Sequence, residues 1–356
     1  MSKVLMKGNE AIALAAIKGG VDAFFGYPIT PQNEVPEYLS KYLLSEGKVF
    51  VQAESEVAAI NMVYGAAGAG ARVMTSSSSP GIALKQEGIS YLCGAELPCV
   101  IVSVMRGGPG LGGIQPSQAD YYQATRGGGN GDYQLIVYAP ETIQETIDVL
   151  KESFDVADTY RNPVMILVDG LIGQMMESVD LDKPVKERKI ENKDYASNGT
   201  DQHGGTKNVI NSLFLDPVEL EKHNHKLFNK YQLIKKEETK VETIDLEDAD
   251  YVIVAYGTMA RIARSAIETL KEQGIKVGMI RPITIWPYPK KAFDQINPNC
   301  KGILCAEMSM GQMLDDVLIS NKGRFDVGFF GRVGGMVPEP EEVVEAILNF
   351  KDKVVD

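Results

Sequence analysis

The chain has 356 residues, of which 44% are hydrophobic, and a formal net charge of −12 at pH 7. That length exceeds what one hydrophobic core usually supports, so we expect two domains. The negative charge argues against nucleic acid and anionic membranes as partners. No apolar stretch reaches transmembrane length and the first ten residues do not resemble a signal peptide, so we expect a cytoplasmic protein.

The cysteines and histidines follow no metal-binding pattern. The cysteine spacings match neither zinc ribbons nor iron–sulfur cluster motifs, and we expect four reduced thiols, Cys93, Cys99, Cys300 and Cys305. The three histidines lie together in a polar region far from the cysteines, and we expect them on the surface: His203, His223 and His225. A metal site made wholly by this chain is therefore not expected.

The first strand-to-helix loop is a candidate ligand-binding loop. An alanine-rich helix is predicted to open the chain from Lys3, and a short strand follows at residues 23–25. The loop Gly26-Tyr-Pro-Ile-Thr-Pro31 comes next, at the carboxyl end of that strand, where open α/β folds bind ligands. The local pattern favours the alternative, a turn shaped by two prolines with Thr30 as a helix cap.

Two acidic residues stand at the start of a helix made mostly of small apolar residues. Glu54 and Glu56 flank Ser55, a good N-cap for a helix predicted over residues 56–68. The helix dipole favours acidic residues at this end, so capping explains both carboxylates slightly better than catalysis does. Small residues on this helix permit close backbone approach.

A hydroxyl-rich turn, Ser76–Gly81, connects the next predicted strand, at residues 72–75, to a further helix at residues 82–93. Such a turn can hold a phosphate or the polar atoms of a ring, although it is more often a cap and a loop. Both interpretations stay open on local grounds.

Arg106 follows an apolar run, residues 98–105, that is typical of a parallel strand buried on both faces. Beside the glycines that come after it, this arginine is suited to a bidentate grip on a carboxylate, and a structural ion pair is an equally good interpretation. The Gly107-Gly-Pro-Gly110 segment matches neither the dinucleotide-binding nor the P-loop spacing.

The succession of buried strands and helices predicts an α/β fold with a doubly wound parallel sheet. We expect a first domain over residues 1–177, a charged linker over 178–247 and a second α/β domain over 248–356. The linker contains a predicted docking helix at residues 217–236. Its apolar stripe consists of Leu220, Leu227, Tyr231 and Ile234.

Four motifs, in this order and spacing, resemble the alpha subunit of 2-oxoacid:ferredoxin oxidoreductases. They are the loop at residues 26–31, Glu-Ser-Glu at 54–56, the turn at 76–81 and Arg106-Gly-Gly-Pro-Gly110. Arg281-Pro-Ile-Thr-Ile-Trp-Pro-Tyr-Pro289 extends the resemblance, since it is similar to the domain that follows the pyrimidine domain in these enzymes and in transketolases. Gln32 and the four serines of the turn are most similar to the branched-chain, 2-oxoisovalerate enzymes.

The resemblance implies a thiamine diphosphate-binding sheet of the pyrimidine type, followed by a transketolase C-terminal-like α/β domain. It implies that Glu56 is catalytic and hydrogen-bonds the aminopyrimidine ring nitrogen, and that Tyr27, Pro28 and Ser79 also contact the cofactor. This chemistry needs a carboxyl group in a poorly hydrated pocket, which the small apolar helix behind Glu56 fits. Thr30 and Arg106 correspond to residues that bind the 2-oxoacid, Arg106 through the carboxylate.

The resemblance also implies partner subunits. The Gly-Asp-Gly motif that holds diphosphate and magnesium in this superfamily is absent, and Val168-Asp-Gly170 lacks its first glycine. A beta subunit would therefore bring diphosphate and magnesium, and iron–sulfur clusters would lie on partner subunits. The implied assembly includes gamma and ferredoxin-like subunits, uses coenzyme A, and passes electrons to ferredoxin.

The implied activity is oxidative decarboxylation of a 2-oxoacid to acyl-CoA with reduction of ferredoxin, the branched-chain substrate being preferred. Alternatives within enzymes are a 2-oxoglutarate or pyruvate oxidoreductase, or a non-redox thiamine-dependent decarboxylase or transketolase-like half. The alternative from another class is a non-catalytic scaffold or binding subunit, against which Glu56, Thr30 and Arg106 together argue.

Overall fold

The computed structural model describes residues 3–200 and 204–355, so that His203 lies outside the described residues. Its regular elements build three sheets, of seven, five and two strands. No helix among the described residues is both long enough and apolar enough to cross a membrane.

The helices and strands alternate along most of the chain. In order they are β1 (Val4–Lys7), α1 (Gly8–Lys18), β2 (Ala23–Gly26), α2 (Glu34–Ser45), β3 (Val49–Gln52), α3 (Glu56–Gly68), β4 (Val73–Ser77), α4 (Ser79–Gly94), β5 (Val100–Met105), α5 (Tyr121–Thr125), β6 (Ile136–Tyr138), α6 (Ile143–Tyr160), β7 (Val164–Asp169), α7 (Gly170–Gln174), β8 (Met176–Val179), α8 (Pro217–Glu237), β9 (Val241–Ile244), β10 (Tyr251–Val254), α9 (Gly257–Glu272), β11 (Val277–Pro282), β12 (Thr284–Trp286), β13 (Gly302–Glu307), α10 (Leu314–Asn321), β14 (Val327–Gly331) and α11 (Pro340–Leu348). Short 3-10 helices occupy Lys290–Gln295 and Phe350–Lys353.

The seven-stranded sheet has the order β12-β6-β7-β5-β4-β2-β3. Its six strands β2 to β7 are parallel where they pair, and β4, β5 and β7 are buried along their whole length. Helices α1, α2 and α6 pack on one face and α3 and α4 on the other. Coverage on both faces explains the continuous apolar runs of β5 and β7, and it confirms the predicted α/β class.

The five-stranded sheet has the order β14-β13-β10-β11-β9, in which β9 is antiparallel and the other strands are parallel. Helices α9 and α11 pack together against one of its faces. The other face belongs to the apolar cluster that also contains residues of α3 and α4, so the two larger sheets share a continuous core.

The chain begins with a strand, so the helix predicted from Lys3 is wrong for its first residues. Strand β1 pairs antiparallel with β8 in the two-stranded sheet, where Val4 lies opposite Val179. Helix α1 starts only at Gly8. A Cβ at Gly8 would lie 1.9 Å from the Ile172 carbonyl oxygen, so this first helical residue has to be glycine.

The later part of the chain returns to the first sheet. Strand β12, which follows β11 of the second sheet, pairs antiparallel with β6 and forms the outer edge beyond it. Strand β9, within the predicted linker, belongs to the second sheet, while β8 spans the predicted boundary at residue 177. The proposed bounds 1–177, 178–247 and 248–356 stay a prediction.

Helix α8, the predicted docking helix, packs into the apolar cluster of the first sheet. Leu227, Tyr231 and Ile234 are buried, whereas Leu220 is 38% exposed and lies outside the buried stripe. Lys230 donates to the carbonyl oxygen of Arg161 at 3.2 Å. Of the two histidines on this helix that the structure describes, His225 is exposed and His223 is half-buried, with Nε2 2.7 Å from the Gly94 carbonyl oxygen.

Close packing of α3 against α4 generates a prediction about Gly88. A Cβ at this position would lie 2.5 Å from Ile60 Cγ2, so Gly88→Ala should destabilise the chain by about 1–3 kcal/mol through overpacking. Chemical denaturation of the purified chain measures this change. Gly65→Ala is the matched control, because open space surrounds that helical glycine and alanine there should stabilise by about 0.5–1 kcal/mol. Equal effects of the two changes would contradict the packing argument.

Candidate active site

The candidate residues lie at the carboxyl edge of the seven-stranded sheet. The loops that follow β2, β3, β4 and β5 carry Thr30, Glu56, Ser79 and Arg106, respectively. These strands are neighbours in the order β5-β4-β2-β3, and ligands in open α/β sheets bind outside such strand ends. The fold therefore collects the residues that the sequence placed in four separate motifs.

Glu56 is the first residue of α3, and Ser55 caps this helix as predicted. The Ser55 hydroxyl accepts from the amide of Ala58 at 3.1 Å. Glu56 is 7% exposed and forms no ion pair within residues 3–200 and 204–355, whereas Glu54 is exposed. The structure thus separates the two carboxylates that helix-end arguments left equivalent, because only Glu56 is buried.

The side chain of Glu56 reaches α4 at Gly81. A Cβ on Gly81 would lie 2.8 Å from Glu56 Oε1 and 2.1 Å from Ser77 Oγ. Only a residue without a side chain fits between these two oxygens. Gly81 therefore brings the Glu56 carboxyl and the end of β4 together.

The hydroxyl-rich turn contributes buried polar atoms that the protein leaves unpaired. Ser76 Oγ donates to Gln32 Oε1 at 2.6 Å, and this bond joins β4 to the loop after β2. Ser77 Oγ, Ser78 Oγ and Gln32 Nε2 are buried without a hydrogen-bond partner among the described residues. Since buried polar groups are normally paired, these atoms indicate a place where a polar ligand completes the bonding.

Arg106 is held by backbone carbonyl groups. Its NH1 donates to the Thr30 carbonyl at 2.9 Å and its NH2 to the Leu111 carbonyl at 3.2 Å, while Nε is buried and unpaired among the described residues. No carboxylate of the described part forms an ion pair with it, so the structural ion pair suggested by the sequence is not found. Its positive charge remains available for an anionic ligand.

Ser79 connects Arg106 to the loop that follows. The Ser79 hydroxyl accepts from the Arg106 amide at 3.0 Å and donates to the Asp120 carboxylate. Burial raises the pKa of Asp120, while the bond from Ser79 and the charge of Arg106 act in the opposite direction. Sequence reasoning predicted Ser79 as a cofactor contact and assigned nothing to Asp120; in the structure the hydroxyl is already committed to these two partners.

Tyr27 and Pro28 lie in the same loop as Thr30 and are both exposed. Their side chains form no hydrogen bond among the described residues, so their predicted contacts with a cofactor stay a prediction. Helix α2 begins at Glu34 after Asn33, and Thr30 is therefore not its N-cap.

Sequence reasoning missed Lys85, which is completely buried on α4. Its Nζ donates to Thr75 Oγ1 at 2.6 Å and to the Ser76 carbonyl at 3.2 Å. Burial lowers the pKa of Lys85 to about 7, with Glu56 and Cys99 acting in the opposite direction. The helical spacing could have found it, because Lys85 lies three residues from Ile82 and four from Ile89 on the buried stripe.

The described residues contain no group of three or more His, Cys, Asp or Glu side chains placed to hold a metal ion. All four cysteines are buried and unpaired. Asp169 of Val168-Asp-Gly170 caps α7, accepting from the amides of Leu171 at 2.9 Å and Ile172 at 3.2 Å.

A large cavity of the structure lies away from this edge of the sheet. A cavity of about 1000 Å³ lies between α8 and Gln134, and apolar side chains such as Phe228 and Val218 line much of it. It contains none of the candidate residues and no unpaired buried acid. Burial, unpaired polar atoms and charge therefore locate the site better than cavity size does.

Comparison with known protein families gives two matches that together cover most of the chain. Residues 14–243 match the model described as pyruvate flavodoxin/ferredoxin oxidoreductase, thiamine diP-bdg. This chain belongs to that family. Residues 249–343 match pyruvate:ferredoxin oxidoreductase core domain II. Both matches confirm the resemblance found in the motifs.

Similar proteins in this family include curated subunits of two kinds. The chain is 47% identical to the ketoisovalerate oxidoreductase subunit VorB of Methanothermobacter thermautotrophicus, across 98% of this chain and 97% of that protein. It is 34% identical to the 2-oxoglutarate synthase subunit KorA of Methanocaldococcus jannaschii, across 98% of this chain and all of that protein (100%). Family members with different named substrates thus share its full length.

Solved structures agree with the family and the fold. The 2-oxoglutarate:ferredoxin oxidoreductase of Magnetococcus marinus, with 2-oxoglutarate, coenzyme A and succinyl-CoA bound, matches with a TM-score of 0.88 and 28% identity. This match covers 98% of our chain and 65% of that longer chain. A split-gene transketolase matches with a TM-score of 0.61 at 14% identity, which shows a shared fold and agrees with the predicted transketolase-like α/β architecture.

The residues at the sheet edge would fit the polar ring of a thiamine diphosphate. A buried carboxyl at Glu56, the unpaired hydroxyls of Ser77 and Ser78, and the unpaired amide of Gln32 offer bonds to polar ring atoms. Small residues of α3 and the missing side chain at Gly81 let backbone approach closely. The fit concerns a polar ring, because the unpaired atoms are hydroxyl and amide groups.

The close approach at Gly81 generates a prediction about cofactor binding. Gly81→Ala should displace Ser77 and Glu56, since a Cβ would overlap both oxygens, and should weaken thiamine diphosphate binding by about 10-fold or more. Calorimetry on the assembled complex measures the affinity. Ala83→Ser, at an exposed position of the same helix, is the control and should bind like the wild type. Unchanged affinity in Gly81→Ala would remove Glu56 from the cofactor site.

Proposed function

We propose that this chain is the thiamine-side subunit of a cytoplasmic 2-oxoacid:ferredoxin oxidoreductase that converts a branched-chain 2-oxoacid such as 2-oxoisovalerate to acyl-CoA. The observation that carries the proposal is that a buried carboxyl, Glu56, and an unpaired guanidinium nitrogen, Arg106 Nε, belong to residues that both border the turn after β4, Glu56 at Gly81 and Arg106 at Ser79. One group suits a cofactor ring and the other a substrate carboxylate. Membership of the family supports both roles.

When bound, thiamine diphosphate supplies a carbon nucleophile and a sink for the electron pair released on decarboxylation. Glu56 would hold a proton at the ring nitrogen that faces it. The small residues of α3, packed against α4, keep water away from this carboxyl and strengthen its hydrogen bond. Tyr27, Pro28 and the serine turn would bound the same pocket, with Ser79 positioning Arg106 through its backbone amide.

Arg106 would bind the 2-oxoacid carboxylate and release it as carbon dioxide leaves. Its guanidinium is oriented in advance by the carbonyl groups of Thr30 and Leu111, which leaves Nε for the ligand. A fork oriented before binding loses less entropy on binding a carboxylate. Thr30, whose carbonyl fixes the arginine, would contact the substrate from the opposite loop.

The loops around Arg106 favour an apolar substrate tail. Apart from Arg106 itself, these loops carry no lysine or arginine; they are residues 27–33, 76–81 and 107–119. A 2-oxoglutarate tail ends in a second carboxylate that needs a cation, because an unpaired buried charge is costly. Leu111 and Ile114 instead present exposed apolar side chains in the third loop.

The complex needs further components by the same reasoning. We propose that a beta subunit brings the diphosphate and magnesium site, and that gamma and ferredoxin-like subunits carry iron–sulfur clusters from which ferredoxin takes electrons. The names of relatives as subunits support an assembly of this kind. Coenzyme A is the proposed acyl acceptor, and this chain alone should be inactive. Neither nucleic acid nor a membrane is part of the proposal.

A substrate panel tests the proposed reaction. The assembled complex should reduce a viologen dye in a coenzyme A-dependent reaction, with kcat/KM for 2-oxoisovalerate about 10-fold or more above that for pyruvate and 2-oxoglutarate. Glu56→Gln should lower kcat by about 100-fold or more, while Glu54→Gln, an exposed neighbour, should retain activity. A preference for 2-oxoglutarate would support the second candidate, and turnover without an electron acceptor would support a non-redox decarboxylase.

Arg106→Lys tests the substrate grip. Lysine keeps the charge but loses the planar fork and the bonds to Thr30 and Leu111, so KM for the 2-oxoacid should rise about 10-fold or more. Steady-state kinetics on the assembled complex, with the affinity for thiamine diphosphate as the internal control, separate substrate from cofactor effects. An unchanged KM would return Arg106 to a purely structural role.

A further inference from the structure

Lys85 is an unusual residue at the candidate site, because lysine is almost never fully buried unless it is paired with an acid. It forms no ion pair among the described residues. Instead its ammonium donates to Thr75 Oγ1 and to the Ser76 carbonyl oxygen. A buried, unpaired charge is expensive, and its presence calls for a reason other than stability.

The position of Lys85 on α4 connects it to Glu56. Gly81 faces Glu56 Oε1, and Lys85 lies four residues further along the same helix, hence on the same face one turn away. Its two bonds end on the last residues of β4, beside Ser77, whose unpaired hydroxyl also faces Gly81. Lys85 therefore supports the strand end that borders the Glu56 carboxyl.

Electrostatics points to the same pair. The titratable groups that act on Lys85 are Glu56, on α3, and Cys99, just before β5; both raise its pKa against the effect of burial. The contacts from β4 are a hydroxyl and a carbonyl oxygen, which carry no charge. Among the described residues, Glu56 is thus the carboxylate that favours the charged form of the Lys85 ammonium.

We propose that Lys85 is a positioning residue that serves as the counter-charge of Glu56 and releases a proton to solvent when Glu56 takes one up or shares one with a bound ring nitrogen. The inference rests on the proposed function, since it gives Glu56 a ligand. One proton leaves the Lys85 ammonium for each proton gained by Glu56 or shared between Glu56 and the ring nitrogen, so the net charge of the pocket stays constant. The pocket can then change the protonation of its acid without burying additional charge.

Calorimetry of cofactor binding tests the exchange. Thiamine diphosphate with magnesium is titrated into the cofactor-free assembled complex in buffers of different ionisation enthalpy, which yields the net proton uptake. Because Lys85 has a pKa of about 7, Lys85→Met should take up about 0.5 proton more than the wild type at pH 7, and the same number at pH 9. Lys85→Gln, which keeps a donor for Thr75, replaces Lys85→Met if the latter does not assemble.

Lys230→Met is the matched control. Lys230 is a largely buried lysine whose pKa is also lowered by burial, but it interacts with Glu96, at the other end of α4. This variant should bind with the proton uptake of the wild type. Equal uptake by the wild type and Lys85→Met at pH 7 would overturn the inference and leave the proposed function standing. Absence of binding to the wild-type complex would overturn the proposed function and the inference with it.

A second measurement does not need the cofactor. The pKa of Lys85 is about 7 in the folded chain, whereas an unfolded lysine has a pKa of about 10.4. Between these pH values the unfolded chain binds more protons than the folded chain, so the free energy of unfolding rises with pH. The melting temperature of the cofactor-free wild-type complex should therefore rise relative to Lys85→Met as the pH rises from 7 to 10. Parallel pH dependences would show that Lys85 does not titrate in this range and would overturn the inference.

Discussion

The hydroxyl of Ser79 is the junction on which the candidate site depends. It accepts from the amide that begins Arg106 and donates to the carboxylate of Asp120, so one oxygen joins the ends of β4 and β5 to the loop that leads into α5. That loop in turn reaches the second sheet, where Gln118 donates to the Tyr256 carbonyl at 2.8 Å and accepts from the Met308 amide at 2.9 Å. The geometry around Arg106 therefore depends on both sheets.

The second sheet is consequently part of the site's support, although it supplies none of the predicted site residues. Tyr121 and Tyr122, at the start of α5, donate to Asp316 at 2.7 Å and Asp315 at 2.6 Å. The buried Tyr121 bond and the exposed Tyr122 bond fix the glycine-rich loop between Arg106 and Asp120 at its far end. Rigid support of this type is what lets a flexible, glycine-rich segment hold a charged group in one orientation.

How much could be predicted from the sequence depended on how local each signal was. The apolar runs of β5 and β7, and the Ser55 cap of α3, are local, and the structure confirms them. Strand β1 was not predicted, because Val4 and Leu5 are exposed and its partner β8 lies far along the chain. Strand β12 was missed for the same reason, since only pairing with β6 makes it a strand.

The candidate site followed the same rule. The four motifs identified the loops. The contacts of the site residues could not be predicted, because backbone carbonyl groups and burial do not depend on a recognisable residue type. Helix-end arguments could not separate Glu54 from Glu56; the family resemblance chose Glu56, and the structure shows that only Glu56 is buried. Arg106 proved to be held by carbonyl oxygens instead of an acid. Lys85 was visible as a polar residue on an apolar stripe, yet its bonds to the end of β4 were not.

The crossing of β12 into the first sheet has a consequence for how the protein is made. On the ribosome the first sheet cannot be completed until residues 284–286 have emerged, long after β6 and β7. Until then β6 presents an unpaired edge, the kind of surface that promotes association between nascent chains. The first sheet is therefore completed only after β9, β10 and β11 of the second sheet have been synthesised.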